Sequence, residues 1–213
     1  MNIFILDGYI KKNAQYYVDK HIVKIPLEIA QMLCTAHHVN GSEQINHIPY
    51  KPTHINHPIN RWVREDLQNY NYTCNLGLAL CEEYTYRYEK IHKCEQIIKF
   101  CLNHKPNIKS NKWNIESFIQ AMPDKYKSNY TVLAYRNYYN GEKQHLFSWK
   151  KRNIPFWANH PKLKIGSLIK DEKNRIGVII EIDSVVLKQY IVKFCDGNPM
   201  EILPQYKIRE ILA

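Results

Sequence analysis

The 213 residues carry 30 Lys and Arg against 20 Asp and Glu, a net charge of +10. Hydrophobic residues make up 45% and glycines number only 7, so the chain can bury a real core and is not a disordered polymer. No apolar run reaches the roughly 18 residues of a membrane span, and the excess of cations points to a polyanionic partner, nucleic acid first.

In chain order, "MNIFIL" reads as a short strand or extended lead-in. Its apolar run of four, with no basic stretch before it, is no secretory signal, and a cytoplasmic location is expected. Residues 13–39 have helical periodicity, with Val18, Ile22, Ile25, Ile29, Met32, Leu33 and Ala36 on the buried side and Gly41 as the stop. Pro26 interrupts that pattern, so either a kink or a second helix beginning there is expected. The polar loop that follows ends at Asn56, which can cap a helix over 58–66. Further helices are predicted over 67–88, 92–103 and 128–140, the last ended by Gly141. The connection over 104–127 holds one helical turn around Ile115–Gln120.

From about residue 163 the period changes to short β-branched runs, near 166–170, 176–183, 189–195, 199–203 and 207–211. "DEKNR" and "DGN" supply turns. The expected fold class is α+β: a mainly helical domain over 1–160 and a small SH3-like β-barrel over 163–213. Residues 161–213 hold 9 cations and 7 acids, the rest 21 and 13, so the polyanion signal lies in the helical part. The six cysteines form no C-x-x-C pair, and the spacing of Cys74 from Cys81 and of Cys94 from Cys101 reads as buried, reduced helix faces.

One stripe carries unusual chemistry. Tyr17, His21, Lys24, Glu28, Gln31, Thr35 and His38 fall on one side of a helix. A solvated face would favour repeated Lys and Glu; this mixture fits a wall that lines a ligand, with a solvated or interhelical polar seam as the alternative. No H-x-x-x-H or H-E-x-x-H spacing occurs, so neither metal nor cofactor is expected, and His57 fits a helix start where the dipole favours its neutral form. "YKSNYTVLAYRNYY" and "KQHLFSWKKRNIPFW" interleave cations with rings. Arg136, Trp149, Lys150, Lys151 and Arg152 are the nucleic-acid candidates there, since cations meet phosphates and rings stack on bases.

The order "AQYYVDKHIVKIP", loop, "YKPTHINHPINRW", long helix resembles the bacteriophage endonuclease V family of pyrimidine-dimer DNA glycosylases over residues 1–100. The "KHIVK", "AQMLCTAHH" and "YRNYY" stretches resemble more closely an uncharacterised phage protein family, which brings no activity with it. The glycosylase resemblance implies a compact helical protein whose first helix faces damaged DNA. It implies an amine that forms a Schiff base at the sugar C1′, with a carboxylate on the first helix beside it. In the best-known members the amine is the chain's N-terminus, exposed once Met is removed. This chain departs twice. Asn2 is too large for efficient removal of Met1, so the α-amine belongs to Met1, and Lys24 stands where the catalytic carboxylate is expected, with Glu28 one turn on.

Two readings stay open. In one, Lys24 is the amine, its pKa lowered by burial, with Glu28 and His21 beside it. Tyr17, Gln31, Thr35, His38, Asn56, His57 and Arg61 then bind a modified or damaged pyrimidine. In the other, the protein is a non-catalytic phage protein that binds a nucleotide or a host protein. DNA is expected as partner before RNA; no membrane partner is expected, and the sequence leaves the oligomeric state open.

Overall fold

The computed structural model describes residues 1–110, 118–159, 163–183, 189–197 and 199–212. Among these residues it is α+β: six α-helices, then a five-stranded, curled antiparallel half-barrel. The chain divides into two compact units, Met1–Tyr138 and Tyr139–Ala213.

In the first unit α1 covers Ile10–Tyr16, α2 Asp19–Asn40, α3 Pro58–Glu65, α4 Leu67–Tyr88 and α5 Glu95–Asn103. α6, Thr131–Glu142, crosses the division. The expected helix over 13–39 breaks at Tyr17–Val18, not at Pro26, which lies inside α2. A proline interior to a helix costs about 3 kcal/mol. That cost is outweighed because Ile22, Ile25, Ile29 and Leu33 are buried along one side of α2 while its first turn is anchored. The anchor is Arg87 of α4, fully buried. Its guanidinium donates to Glu83 Oε1 (2.7 Å), Asp19 Oδ1 (2.8 Å), and the carbonyls of Tyr17 and Gln15 (both 2.9 Å). The α1–α2 break is where those two carbonyls turn inward. Gly41 ends α2 at φ +80°, as its position in the sequence predicts. Gly77 lets the helices close up: a Cβ there would lie 2.8 Å from Ile29 of α2 and 3.0 Å from Ile98 of α5.

Residues 1–6 form no strand, yet Ile3–Leu6 are buried. Side chains replace the missing ladder. The Tyr17 hydroxyl accepts from Phe4 N (2.7 Å) and donates to Phe4 O (2.8 Å). Asn13 accepts from Leu6 N (2.7 Å) and donates to Phe4 O (3.1 Å), and Arg136 Nε donates to Leu6 O (2.9 Å). The lead-in is thereby fixed from Asn2 to Asp7.

α3 starts at Pro58 as expected, but its cap is His57, whose Nδ1 accepts from Ile59 N (3.3 Å); Asn56 is exposed and does not cap. α6 begins at Thr131 and runs through Gly141. The turn expected around Ile115–Gln120 lies partly outside the described residues, and Phe118–Gln120 are not helical.

In the second unit β1 is Leu168–Asp171, β2 Ile176–Asp183, β3 Gln189–Phe194, β4 Glu201–Pro204 and β5 Ile208–Ile211, in sheet order β4-β3-β2-β1-β5. All pairs are antiparallel, and register shifts between Ile179 and Glu181 and between Lys170 and Asp171 help curl the sheet. Ile169, Ile179, Tyr190, Val192, Phe194, Leu203 and Ile208 fill its concave side. Arg175 closes it. The guanidinium meets Asp171 Oδ2 (2.8 Å) and grips Glu201 with two bonds (2.5 and 2.8 Å), and it lies 3.9 Å from the centre of the Phe194 ring. Residues 139–159, expected as the tail of the helical part, are grouped with the sheet instead. Ile154 N donates to Ile208 O (3.3 Å), and the buried Gln205 amide donates to the carbonyls of Pro155 (3.0 Å) and Ala158.

Candidate active site

The N-terminal lead-in ends against α2. Glu28 is 8% exposed, and three nitrogens surround its carboxylate. Asn2 N donates to Oε2 (2.8 Å), the Met1 nitrogen lies 3.6 Å from the same oxygen, and Lys24 Nζ lies 3.1 Å from Oε1. Lys24 reaches Glu28 from solvent, with its side chain 69% exposed, so it is not the buried lysine that the sequence reading required.

α3 forms the other side. Asn60, fully buried in its first turn, donates through Nδ2 to the carbonyls of Thr53 (2.8 Å) and His54 (3.2 Å) and lies 3.9 Å from Met1 Sδ. The Thr35 hydroxyl donates to Gln31 O (2.8 Å) and accepts from Thr53 N (3.2 Å), fastening the same loop to α2. Asn2 Nδ2 donates to Ala121 O (2.9 Å). His57 is half-buried, and its pKa is lowered, first by burial, then by the Met1 ammonium and His54, with Glu28 opposing. It is therefore neutral at pH 7. Because its Nδ1 accepts the cap bond, the proton of the neutral ring is on Nε2.

Of the residues on the stripe, the structure gathers Lys24 and Glu28 at the N-terminus and brings His57 to them from α3. The others serve packing or cross-links. Tyr17 is fully buried, and burial drives its phenol pKa well up; His21 is buried with its ring stacked on Phe4 (4.8 Å). Thr35 is buried in the loop clasp, Gln31 is half-buried, and His38 Nε2 lies 3.1 Å from Tyr50 O. Tyr17 is not on α2 at all, so the stripe is a seam that opens at Lys24–Glu28. Arg61 is exposed, with Glu65 3.9 Å away. Arg136 is engaged with Leu6 O, lies 3.4 Å from Asp7 and packs over the Tyr16 ring.

In the second unit Trp149 is 6% exposed against Phe147, which takes its ring away from stacking on a base at the surface. Lys150 and Lys151 are exposed and Arg152 half-buried on the turn that follows.

Asn60 is not among the residues that the sequence singles out, and Asn2 stands out there only by its size. The available signal was an amide in the first turn of a helix, three residues after a capping His57-Pro58 start, opposite apolar neighbours. A separate depression of about 470 Å³ in the first unit is lined by Phe118, Ile119, Gln120, Lys127, Ser128 and Asn129. Among the described residues no group of three or more His, Cys, Asp or Glu could hold a metal ion, and no helix is long and apolar enough to cross a membrane. No family model, no curated protein and no solved structure matches the chain.

Proposed function

We propose that the first unit is a DNA glycosylase/AP lyase of phage type that acts on a modified or damaged pyrimidine, with the Met1 α-amine as nucleophile and Glu28 as its carboxylate. The observation that carries the reading is the 3.6 Å approach of the Met1 nitrogen to Glu28 Oε2 in a nearly closed setting. With Met1 as the first residue of the mature chain, that nitrogen is a primary amine. Beside Glu28 it is held as the ammonium, so it first gives up a proton, which the carboxylate takes and passes on; its lone pair then attacks C1′, the C1′–N bond breaks, and its electrons leave with the base, which takes up a proton. One amine proton then moves to the ring oxygen as the sugar opens to the iminium. Loss of a C2′ proton and of the 3′ phosphate oxygen cuts the strand, and water releases the amine. Glu28 stabilises the developing cation and relays the amine proton. Lys24, exposed beside it, is suited to a backbone phosphate. We read the sheet as an SH3-like accessory module: four strands in a meander, a 3-10 turn at Gln205–Lys207, and a fifth strand returning to β1.

The test is borohydride trapping of the full chain on a duplex with an abasic site and on one with a pyrimidine dimer. A covalent adduct that maps to the Met1 nitrogen is expected. Glu28→Gln slows its formation about 100-fold or more, while Lys24→Ala weakens binding and still traps. No adduct from either duplex overturns the reading. The 470 Å³ depression supports a second one, a non-catalytic nucleotide binder, since it combines Phe118 and Ile119 with the Lys127 cation and the polar residues Gln120, Ser128 and Asn129. A thermal shift from a free nucleotide that salt does not weaken, with no duplex binding at low salt, favours it.

A further inference from the structure

The Met1 side chain is only 2% exposed, enclosed where an initiator methionine is ordinarily a loose end. Its sulfur lies 3.9 Å from Asn60 Nδ2, the amide that also holds the Thr53 and His54 carbonyls. The next residue is clamped independently. Asn2 N bonds Glu28, its Nδ2 bonds Ala121 O, and its Oδ1 accepts from Ile3 N (2.9 Å). The rotation of the Met1 nitrogen about the residue 1–2 bond is therefore set by where the thioether side chain is seated, between α3 and the loop that α3 pins.

We propose that, in a chain that starts at Met1, this methionine is a positioning residue: its seated side chain aims the α-amine at Glu28 and at the sugar that the site would attack. The inference rests on the glycosylase reading and adds to it that the side chain, not only the amine, belongs to the site. Asn2 contributes through its hydrogen bonds, which fix the backbone on which the amine turns. A near-attack geometry is sensitive to displacements of about 1 Å, which cost on the order of 100-fold in rate. Removal of the anchor therefore acts on the trapping rate and not on the affinity for DNA.

The experiment uses the full chain released from a cleavable N-terminal fusion, so that residue 1 is chosen freely: the natural chain, Met1→Leu and Met1→Ala, each checked by intact mass and melting temperature. Each is trapped with borohydride on an abasic duplex, with duplex affinity measured separately. Met1→Ala is expected to trap at least about tenfold more slowly at unchanged duplex affinity, and Met1→Leu, which refills the seat, to recover most of the rate. Equal trapping by Met1→Ala and the natural chain overturns this inference alone and leaves the glycosylase reading standing. An intact mass of the natural protein, made without a fusion, that lacks Met1 or extends beyond it overturns this inference together with the Met1 nucleophile of the glycosylase reading. Failure of the natural chain to trap on any duplex removes both.

Discussion

Each unit of this protein is gathered around one arginine that holds two carboxylates, and the two arginines differ in depth. Arg87 is fully buried, and four acceptors from α4, the start of α2 and the end of α1 converge on it. Arg175 is 20% exposed at its side chain, joins β2 to Asp171 and Glu201, and covers the Phe194 ring. The helical unit uses its arginine to satisfy backbone carbonyls left open where two helices part, which strands do for one another through their ladder. In the sheet the neighbouring strands meet one another's backbone groups through their ladders, and the arginine serves as a clasp at the rim. Arg175 holds the Glu201 carboxyl below its ordinary pKa, and the two carboxylates raise its own.

That contrast breaks first at Arg87. Arg87→Met takes the buried guanidinium away from Glu83, Asp19 and the carbonyls of Tyr17 and Gln15, and is expected to cost about 3–5 kcal/mol. Hydrogen exchange should show the loss at Gln15–Ile22 and along α4, with the sheet amides unchanged; a loss spread evenly over both units would refute the local role.

The next effect is one of pH, and it too belongs to the helical unit. His37 is buried, with Nδ1 2.8 Å from Ser42 Oγ and Nε2 3.0 Å from Tyr70 OH, which donates to Cys101 O. Burial, followed by His38 and His104, lowers its pKa from 6.5 to about 4. The unfolded chain therefore takes up a proton first as pH falls. Stability drops between pH 6.5 and about 4, by on the order of 3 kcal/mol, and this group adds no slope outside that window. Urea titrations across the window check it, and His37→Gln should flatten that part of the profile.

The smallest effect is expected at the rim. Arg175→Ala should lower the melting temperature less than Arg87→Met and speed exchange in β2 to β4. Salt should reproduce part of the loss in the natural chain, since a partly exposed pair is screened and a buried one is not. Salt-insensitivity of Arg175 would make the two clasps alike and remove the distinction.

Much of the architecture was legible because it depends on period and local chemistry. The strands near 176–183 and 189–195 fall within a residue of β2 and β3, since alternation and turn residues mark them directly. α3 and α4 were equally plain, from Pro58 at a first position and a long apolar period. Pro26 misled, because the proline rule is local and the burial of α2 with Arg87 behind its first turn is not. The stripe misled in the same way: helical spacing places Tyr17, His21, Glu28 and Thr35 in a line but does not say which of them face protein. The sequence by itself determined the α+β class, the order of elements, the charge and the pairing of Lys24 with Glu28 one turn apart. Only the tertiary structure decided that the first two residues fold back onto Glu28, 26 positions along the chain from Asn2, and that Asn60 encloses Met1. The reason is physical. Periodicity records which face of an element is apolar, whereas the meeting of a chain end with a helix is set by side-chain hydrogen bonds to a backbone with no ladder of its own, and no spacing in the sequence encodes them.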